Sequence, residues 1–404
     1  MADGFALLLG RPPESDAVVT HYLSMGLDRQ RFLQALLGSG EFAERQRQRL
    51  AIEALGRPAS SWAAAPGVAR VLLFGAYGNG NLGDAVQAEA LAWVLRQLLP
   101  GGLSFAATSW ERQAPYALPG GAVLASDAML RPDRLARDHD GARLVTIGGG
   151  GLLGAPHFPL HDAAWARWFV GRGVPYALLG VGGAVAALHQ PAWAEAYRTL
   201  IEGALFVGGR DEETLAALRT IRLDAAWFPD PVLVWALAQP EPPPASRPID
   251  LLLIPRYPNS AADADCNRIL LARRAAATPG ERVVVAALEP HLDRHALRGE
   301  AVEYVADWQG LMALCRQARG VATLRLHGAV AGLAAGCVVH GLVQPKTGAL
   351  MQSLGVGRWF SPEGWPDTDP AGFHAMLRPG LLAFRQRAGA AMALAGGVLA
   401  PTIA

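Results

Sequence analysis

Apolar residues in this chain fall into short continuous runs, and stripes at helical spacing lie between them. The runs at 71–74, 103–107, 122–125, 143–147, 175–179, 205–208 and 225–228 have strand length. They are unbroken by polar residues, as in strands buried on both faces. The stretches 84–98, 160–171, 191–203 and 211–219 repeat apolar positions three and four apart; in the first, Val86, Ala90, Val94 and Leu98 precede Pro100. This alternation predicts a parallel sheet covered by helices on both faces. Gln239 to Pro248 then carries five prolines in ten residues, which neither a helix nor a central strand accommodates, so it reads as a connector. A second alternating half follows. Its predicted strands are 249–254, 282–287, 301–304, 320–323 and 337–339, and its predicted helices 261–275, 307–317 and 326–335.

The predicted architecture is α/β: two Rossmann-like domains, 67–238 and 248–395, facing a cleft. A small all-α unit precedes them at 1–57. In that unit Leu8-Leu9-Gly10-Arg11-Pro12-Pro13 and Ser39-Gly40-Glu41-Phe42 resemble the opening and close of a small bacterial domain of unknown function, which implies an accessory role. Gly56-Arg57-Pro58 through Pro66-Gly67 reads as a linker.

Composition narrows the function classes. Hydrophobic residues make up 51% and charged residues 18% of the 404, as in an ordered globular protein. A net charge of +1 does not favour nucleic acid as a partner, so any anion site has to be a local arginine cluster. Cys266, Cys315 and Cys337 are scattered, without the spacing of a disulfide framework or a zinc site, which fits a reducing cytoplasm. The N-terminus has Asp3 and no basic region before its apolar run, unlike a secretory signal. The apolar stretches 174–188 and after Arg387 are too short or too broken by glycine to span a membrane.

The chemistry concentrates where strands end, the place where open α/β sheets bind ligands. Val71-Leu72-Leu73-Phe74 empties into Gly75-Ala76-Tyr77-Gly78-Asn79-Gly80-Asn81-Leu82-Gly83-Asp84, a strand, a glycine-rich loop and a helix start. Helix-start N–H groups favour an anion, and Asn79, Asn81 and Asp84 add side chains for capping or for a substrate hydroxyl. Gly78, Gly80 and Gly83 fit a dinucleotide fingerprint, but Glu111 comes too late after the next strand to hold a ribose. Lys346, the only lysine, follows a proline, which excludes a phosphate loop of the Walker kind.

Other strand ends carry Gly148-Gly149-Gly150-Gly151, Gly180-Val181-Gly182-Gly183, Arg210-Asp211, Asp230-Pro231, Arg256, Glu289, Arg325-Leu326-His327 and Lys346. The glycine run serves close packing or an anion equally well. Arg210 has Asp211 or Glu213 as a salt-bridge alternative, Asp211 suits the N-cap of the next helix, and Arg256 reads equally as a solvated loop residue. Arg325 and His327, two apart after an apolar run, would point the same way if that segment is extended. An arginine there calls for a carboxylate or phosphate, although a core histidine remains the alternative for His327. His157 and His161, and His291 and His295, lack a third metal ligand and read as surface residues; no metal is expected.

Asn81-Leu82-Gly83-Asp84, Gly148 to Leu153, Gly180-Val181-Gly182, Arg210 to Thr214, Asp230-Pro231 and Arg325-Leu326-His327-Gly328 occur in that order over about residues 70 to 355. Together they resemble the polysaccharide pyruvyl transferases. The resemblance implies a two-domain fold of the GT-B glycosyltransferase kind and transfer of a pyruvyl group from phosphoenolpyruvate to two sugar hydroxyls as a cyclic ketal. It places Arg210, Arg325 and His327 at the positions that hold phosphoenolpyruvate, and the 81–84 loop across the cleft. The expected site is therefore catalytic His327, Asp84 and Glu289, with Arg210, Arg325, Arg256, Lys346, Asn79, Asn81, Gly83, Gly149, Gly150 and Gly182 around the substrates. No cofactor is expected beyond the donor, and the expected partners are phosphoenolpyruvate and a saccharide acceptor. The protein is expected in the cytoplasm, with peripheral association to membrane-bound polysaccharide assembly left open. A nucleotide-sugar glycosyltransferase and a non-catalytic saccharide-binding protein are the alternatives on the same architecture.

Because the N-terminal unit brings no strand-end chemistry, a chain beginning near Pro66 is expected to fold and to keep the turnover of the full chain. Loss of turnover in a truncated protein that still melts cooperatively would place residues before 66 in the site.

Overall fold

The computed structural model describes residues 16–25, 32, 36, 67–108, 122–124, 142–155, 160, 163–171, 173–239, 246–258, 260–289, 292, 293, 297, 300–341, 345–356 and 369–403. Of the N-terminal unit this includes helix α1 (Asp16–Ser24) and the buried side chains Phe32 and Leu36. Tyr22 meets Phe32 edge to face, ring centres 5.3 Å apart.

Strands β1 (Ala69–Phe74), β2 (Leu103–Thr108), β3 (Ala122–Leu124), β4 (Leu144–Leu153), β5 (Tyr176–Gly183), β6 (Phe206–Gly209) and β7 (Ala226–Trp227) form the first sheet. Their order is β3-β2-β1-β4-β5-β6-β7, and every pairing is parallel. Helices α2 (Leu82–Leu98), α3 (Ala163–Gly171), α4 (Ala194–Glu202), α5 (Glu212–Arg219) and α6 (Pro231–Ala238) accompany it. A second parallel sheet is built from β8 (Ile249–Ile254), β9 (Val283–Ala287), β10 (Val302–Tyr304), β11 (Ala318–Thr323) and β12 (Val338–Gly341), in the order β10-β9-β8-β11-β12. With it go α7 (Ala261–Ala275), α8 (Trp308–Gln317), α9 (Leu326–Ala334), α10 (Pro345–Ser353) and the 34-residue α11 (Pro370–Ile403). Both sheets are thus of the Rossmann-like kind that the apolar pattern predicts.

In each sheet the strand order reverses once, between β1 and β4 in the first and between β8 and β11 in the second. Such a reversal sends neighbouring connections to opposite faces and opens a crevice at the carboxyl ends of the strands. At these crevices lie Asp84 in the first turn of α2, Gly149 and Gly150 in the last part of β4, and Arg256 and Arg325 just after β8 and β11.

Two expectations change. β4 and β5 continue through their glycines, to Leu153 and Gly183, instead of ending before them. The register shifts between Gly150 and Leu153, so the glycines form an irregular strand and not a free loop. A Cβ on Gly148 would lie 2.3 Å from the carbonyl oxygen of Leu179, which explains why side chains are excluded. The second change is α11, a helix despite Pro379 and Pro401. It leaves the second domain and returns to the first, where Ala395, Leu399 and Ile403 pack into the core with Leu91, Leu95 and Phe105.

The two halves also share apolar contacts. Leu82, Val86 and Ala90 of α2 and Val232, Leu233 and Trp235 of α6 belong to one cluster with Trp308, Leu311 and Val330 of the second half. Among the described residues no helix is long and apolar enough to cross a membrane.

Since Leu399 is fully buried against the first sheet's helix, Leu399→Ala is expected to cost about 2–5 kcal/mol, read as a lower denaturant midpoint. A change near zero would mean that the helix end is not part of that core.

Candidate functional site

At the end of β1, Tyr77 donates to the carbonyl of Gly148 at 2.6 Å, fixing the glycine-rich loop to β4. Asn81 caps α2: its side-chain oxygen accepts from the Gly83 N–H at 3.0 Å. Asn79 accepts from the Asn81 N–H at 3.0 Å and donates to Asp84 Oδ2 at 2.8 Å. The Leu82 N–H donates to the carbonyl of Leu288 at the end of β9, at 2.9 Å, and the Asp84 N–H to the Asn81 carbonyl at 3.1 Å. The N–H groups expected to meet an anion at this helix start are therefore already engaged, by the cap and by the second domain. What the loop turns toward the cleft is the Asp84 carboxylate, 3.6 Å from where a Cβ on Gly150 would lie.

The centre of the site is Asp230, whose Oδ1 accepts the Val232 N–H at 3.0 Å as the N-cap of α6. Its carboxylate also receives Gln87 Nε2, 3.1 Å from each oxygen, and Arg210 Nη1 at 3.2 Å. His327 Nε2 lies 3.0 Å from Gln87 Nε2 and 3.7 Å from Asp230 Oδ1. Burial alone would raise the Asp230 pKa, but His327, Arg210 and Gln87 outweigh it and hold the group well below the ordinary aspartate range. Asp230 is thus an anion at neutral pH, with its partners supplied by both domains.

Glycines let these groups meet. A Cβ on Gly83 would lie 2.1 Å from His327 Nδ1, and one on Gly182 2.8 Å from Arg210 Nη2. Gly149, at φ +70°, would meet Gln87 Oε1 at 2.3 Å. Arg210 Nη2 and Gln87 Oε1 are buried without a hydrogen-bond partner, so Arg210 keeps a donor in reserve beside Gly182. Asp211 caps α5 through the Thr214 N–H at 2.8 Å and approaches Arg210 at 3.8 Å.

In the second domain Arg325 spans two carboxylates, Glu289 Oε2 at 3.0 Å and Asp293 Oδ1 at 2.5 Å. Asp293, fully buried, also accepts the N–H groups of Tyr257 at 2.8 Å and Glu289 at 3.0 Å, and so ties together the loops after β8, β9 and β11. The expectation that Arg325 and His327 face one way is corrected. Arg325 is the extended N-cap residue of α9, whereas His327 is already in its first turn, where side chains rotate by about 100° per residue. Arg325 therefore turns to Glu289 and Asp293, and His327 crosses to the first domain.

Arg256 exchanges backbone hydrogen bonds with the Asn267 amide and approaches Asp263 at 3.8 Å. Lys346 Nζ would meet a Cβ on Gly151 at 2.7 Å. It reaches solvent within the cleft, yet surrounding protein partly dehydrates it. That loss and the repulsion of Arg210 and Arg256 outweigh the attraction of Asp84 and Asp211, and lower its pKa to about 8. The structure thus draws Gly83, Gly149, Gly182, Arg210 and His327 into one cluster with Gln87 and Asp230, and links Arg325 with Glu289. The histidine pairs 157/161 and 291/295 lie outside the described residues. Among the described residues there is no group of three metal-ligating side chains.

Sequence reasoning gave no role to Gln87, Asp230 or Asp293. Asp230 had a signal in Asp230-Pro231, an aspartate before a proline at a helix start. Gln87 had a weaker one, an amide on a helix whose remaining inner positions are apolar.

Fold and site together define a two-domain α/β protein whose polar side chains converge from both sheets on the cleft between them. Residues 81–344 match the polysaccharide pyruvyl transferase family, and the chain belongs to that family. It is accordingly a transferase of polysaccharide modification. No curated protein sequence matches the chain. Among solved structures, UDP-GlcNAc 2-epimerase from Neisseria meningitidis bound to UDP-GlcNAc is similar at 11% identity, with 83% of this chain and 99% of that chain covered and a TM-score of 0.43. The S. aureus MnaA–UDP co-structure is similar at 10% identity, with 81% and 91% covered and a TM-score of 0.47.

Asp230 sets a pH dependence of stability. Its folded-state pKa is depressed, so its contribution is complete above the ordinary aspartate value of about 3.9 and is lost as pH falls toward the folded-state value. Asp230→Ala is expected to cost about 3–5 kcal/mol at neutral pH, the scale of a broken buried ion pair. In denaturant titrations the gap between wild type and variant should narrow below about pH 4; a gap independent of pH would assign Asp230 a neutral capping role only.

Proposed function

We propose that the protein transfers a pyruvyl group from phosphoenolpyruvate to two hydroxyls of a saccharide, forming a cyclic ketal and releasing inorganic phosphate. The observation that carries this reading is the convergence at the cleft of an imidazole, His327, with Arg210 and its unpartnered Nη2. Lys346 adds a second cation there, and membership of the family supplies the reaction class.

Phosphoenolpyruvate brings a phosphate and a carboxylate, and cations with spare donors are their natural complement. The His327 imidazolium donates a proton to the methylene carbon and leaves an oxocarbenium at C2. One sugar hydroxyl adds at C2 and gives up its proton to Asp84 or Glu289. Phosphate then leaves as the second hydroxyl closes the ring. Of the two hydroxyl protons, the first makes up for the one that His327 gave to carbon and the second leaves with the phosphate, so the reaction balances without a redox partner.

The test is phosphate release from phosphoenolpyruvate in the presence of oligosaccharide acceptors, with the ketal identified by mass. His327→Asn keeps size and hydrogen bonding but cannot deliver the proton. It is expected to lower kcat by about 10²–10⁴-fold with little change in donor KM and in Tm. A fall in Tm without a specific fall in kcat would make His327 a core residue, and consumption of a nucleotide sugar in place of phosphoenolpyruvate would overturn the reaction itself.

A further inference from the structure

The two ring nitrogens of His327 have different surroundings. Nε2 points into the first domain, 3.0 Å from Gln87 Nε2 and 3.7 Å from Asp230 Oδ1. Nδ1 lies over Gly83, so closely that a Cβ there would be 2.1 Å away. Which nitrogen carries the proton in a neutral imidazole is set by the hydrogen bond made at the other.

The Gln87 amide decides this assignment. Its nitrogen lies 3.1 Å from both oxygens of an ionised carboxylate, a place where an amide oxygen would be repelled. The amide therefore has its NH2 toward Asp230 and leaves Oε1 as the buried atom without a partner. An NH2 group has two hydrogens. One is shared across the carboxylate, and the other is directed at His327 Nε2, which must then be the acceptor. Neutral His327 accordingly carries its proton on Nδ1. In the imidazolium, Nε2–H can no longer face an amide NH2, and the Asp230 carboxylate beside it is the acceptor.

We propose that Gln87 and Asp230 are positioning residues that hold Nε2 of His327 in its neutral and charged forms respectively, leaving Nδ1, above Gly83, as the nitrogen that exchanges protons with the substrate. In the reaction proposed above, on which the kinetic part of this inference rests, the Nδ1–H bond breaks as the methylene C–H bond forms. The positive charge then passes from the ring to C2 of the donor and the ring is left for that moment as the Nε2–H tautomer facing Asp230, until a proton returned to Nδ1 restores the imidazolium. Gly83 is required because any side chain there would occupy the space that Nδ1 faces.

The test reads the tautomer directly. Nitrogen-15 spectra of the full-length wild type, with the His327 signals identified by their loss in His327→Asn, are expected to show neutral His327 protonated at Nδ1. Gln87→Met keeps the volume and removes the NH2; Gln87→Leu serves as a second variant should Gln87→Met not fold. With the amide gone, Nε2–H is free to donate to Asp230, and the neutral tautomer is expected to invert to Nε2–H. A merely space-filling Gln87 would leave it unchanged. In turnover, Gln87→Met is expected to lower kcat by up to about 10²-fold with donor KM unchanged, the scale of a misplaced catalytic group. A wild type protonated at Nε2, or a tautomer insensitive to Gln87→Met, overturns the clamp. Absence of phosphoenolpyruvate turnover in the wild type overturns the proposed reaction instead, and the clamp is then judged on the tautomer alone.

Discussion

One buried anion, Asp230, holds the site together. A carboxylate taken out of water is costly unless each lone pair finds a donor. Here the donors come from four elements: the Val232 N–H at the start of α6, the Gln87 amide on α2, the Arg210 guanidinium after β6 and, at slightly longer range, His327 on α9. Three belong to the first half and one to the second. The need to compensate a single charge thus draws an arginine, an amide and a histidine to one point, and carries a side chain of the second half into the first. Glycine at 83, 149 and 182 is the steric counterpart, since a side chain at any of these positions would push apart the groups that the charge gathers.

Arg325 presents the same problem with the sign reversed. Its guanidinium is met by Glu289 and by the fully buried Asp293, and Asp293 also accepts the backbone N–H groups of Tyr257, after β8, and of Glu289 in its own turn. The two ion-pair systems differ in what they leave over. Arg210 retains an unpartnered Nη2, whereas both Nη atoms of Arg325 are taken and only its Nε is without a partner. Arg210 therefore keeps one buried donor that an anion would engage without displacing a protein group, while at Arg325 an anion competes with two carboxylates. Under the proposed reaction, this makes Arg325 as much a device for placing Glu289 as a direct contact to the donor.

The sheets were legible in the sequence because their strands are continuous apolar runs; β8 and α7 fall at the predicted 249–254 and 261–275. The ends of β4 and β5 were not, since strand patterns rest on side chains and Gly148–Gly151 and Gly180–Gly183 have none to pattern. α11 was hidden by Pro379, Pro401 and its glycines, whose local cost is offset by packing against both halves, a tertiary effect outside any short window. At the site, charged residues at strand ends were readable and their pairing was not. Arg325 and His327 look alike in sequence, two apart at one strand end, yet the helix starts between them and sends them to different partners. Spacing determines relative direction only once the backbone conformation is known.

The apolar contacts between the halves bear on how the site operates. Leu82, Val86 and Ala90 sit on the same helix as Gln87, and Val232 and Trp235 on the helix that Asp230 caps. All five belong to one buried cluster with side chains of the second half, Trp235 meeting Trp308 with ring centres 5.6 Å apart, and the Leu82 N–H is bonded to the Leu288 carbonyl. Swinging the halves apart at this seam would expose that apolar surface, at about 25 cal/mol per Å². It would also withdraw His327 from Asp230 in the same movement. The contact between His327 and its partners is thus coupled to the apolar cluster shared by the halves, and the fold itself holds the arrangement of charge. Preorganisation of this kind spares the reacting groups the cost of being ordered at the moment of reaction.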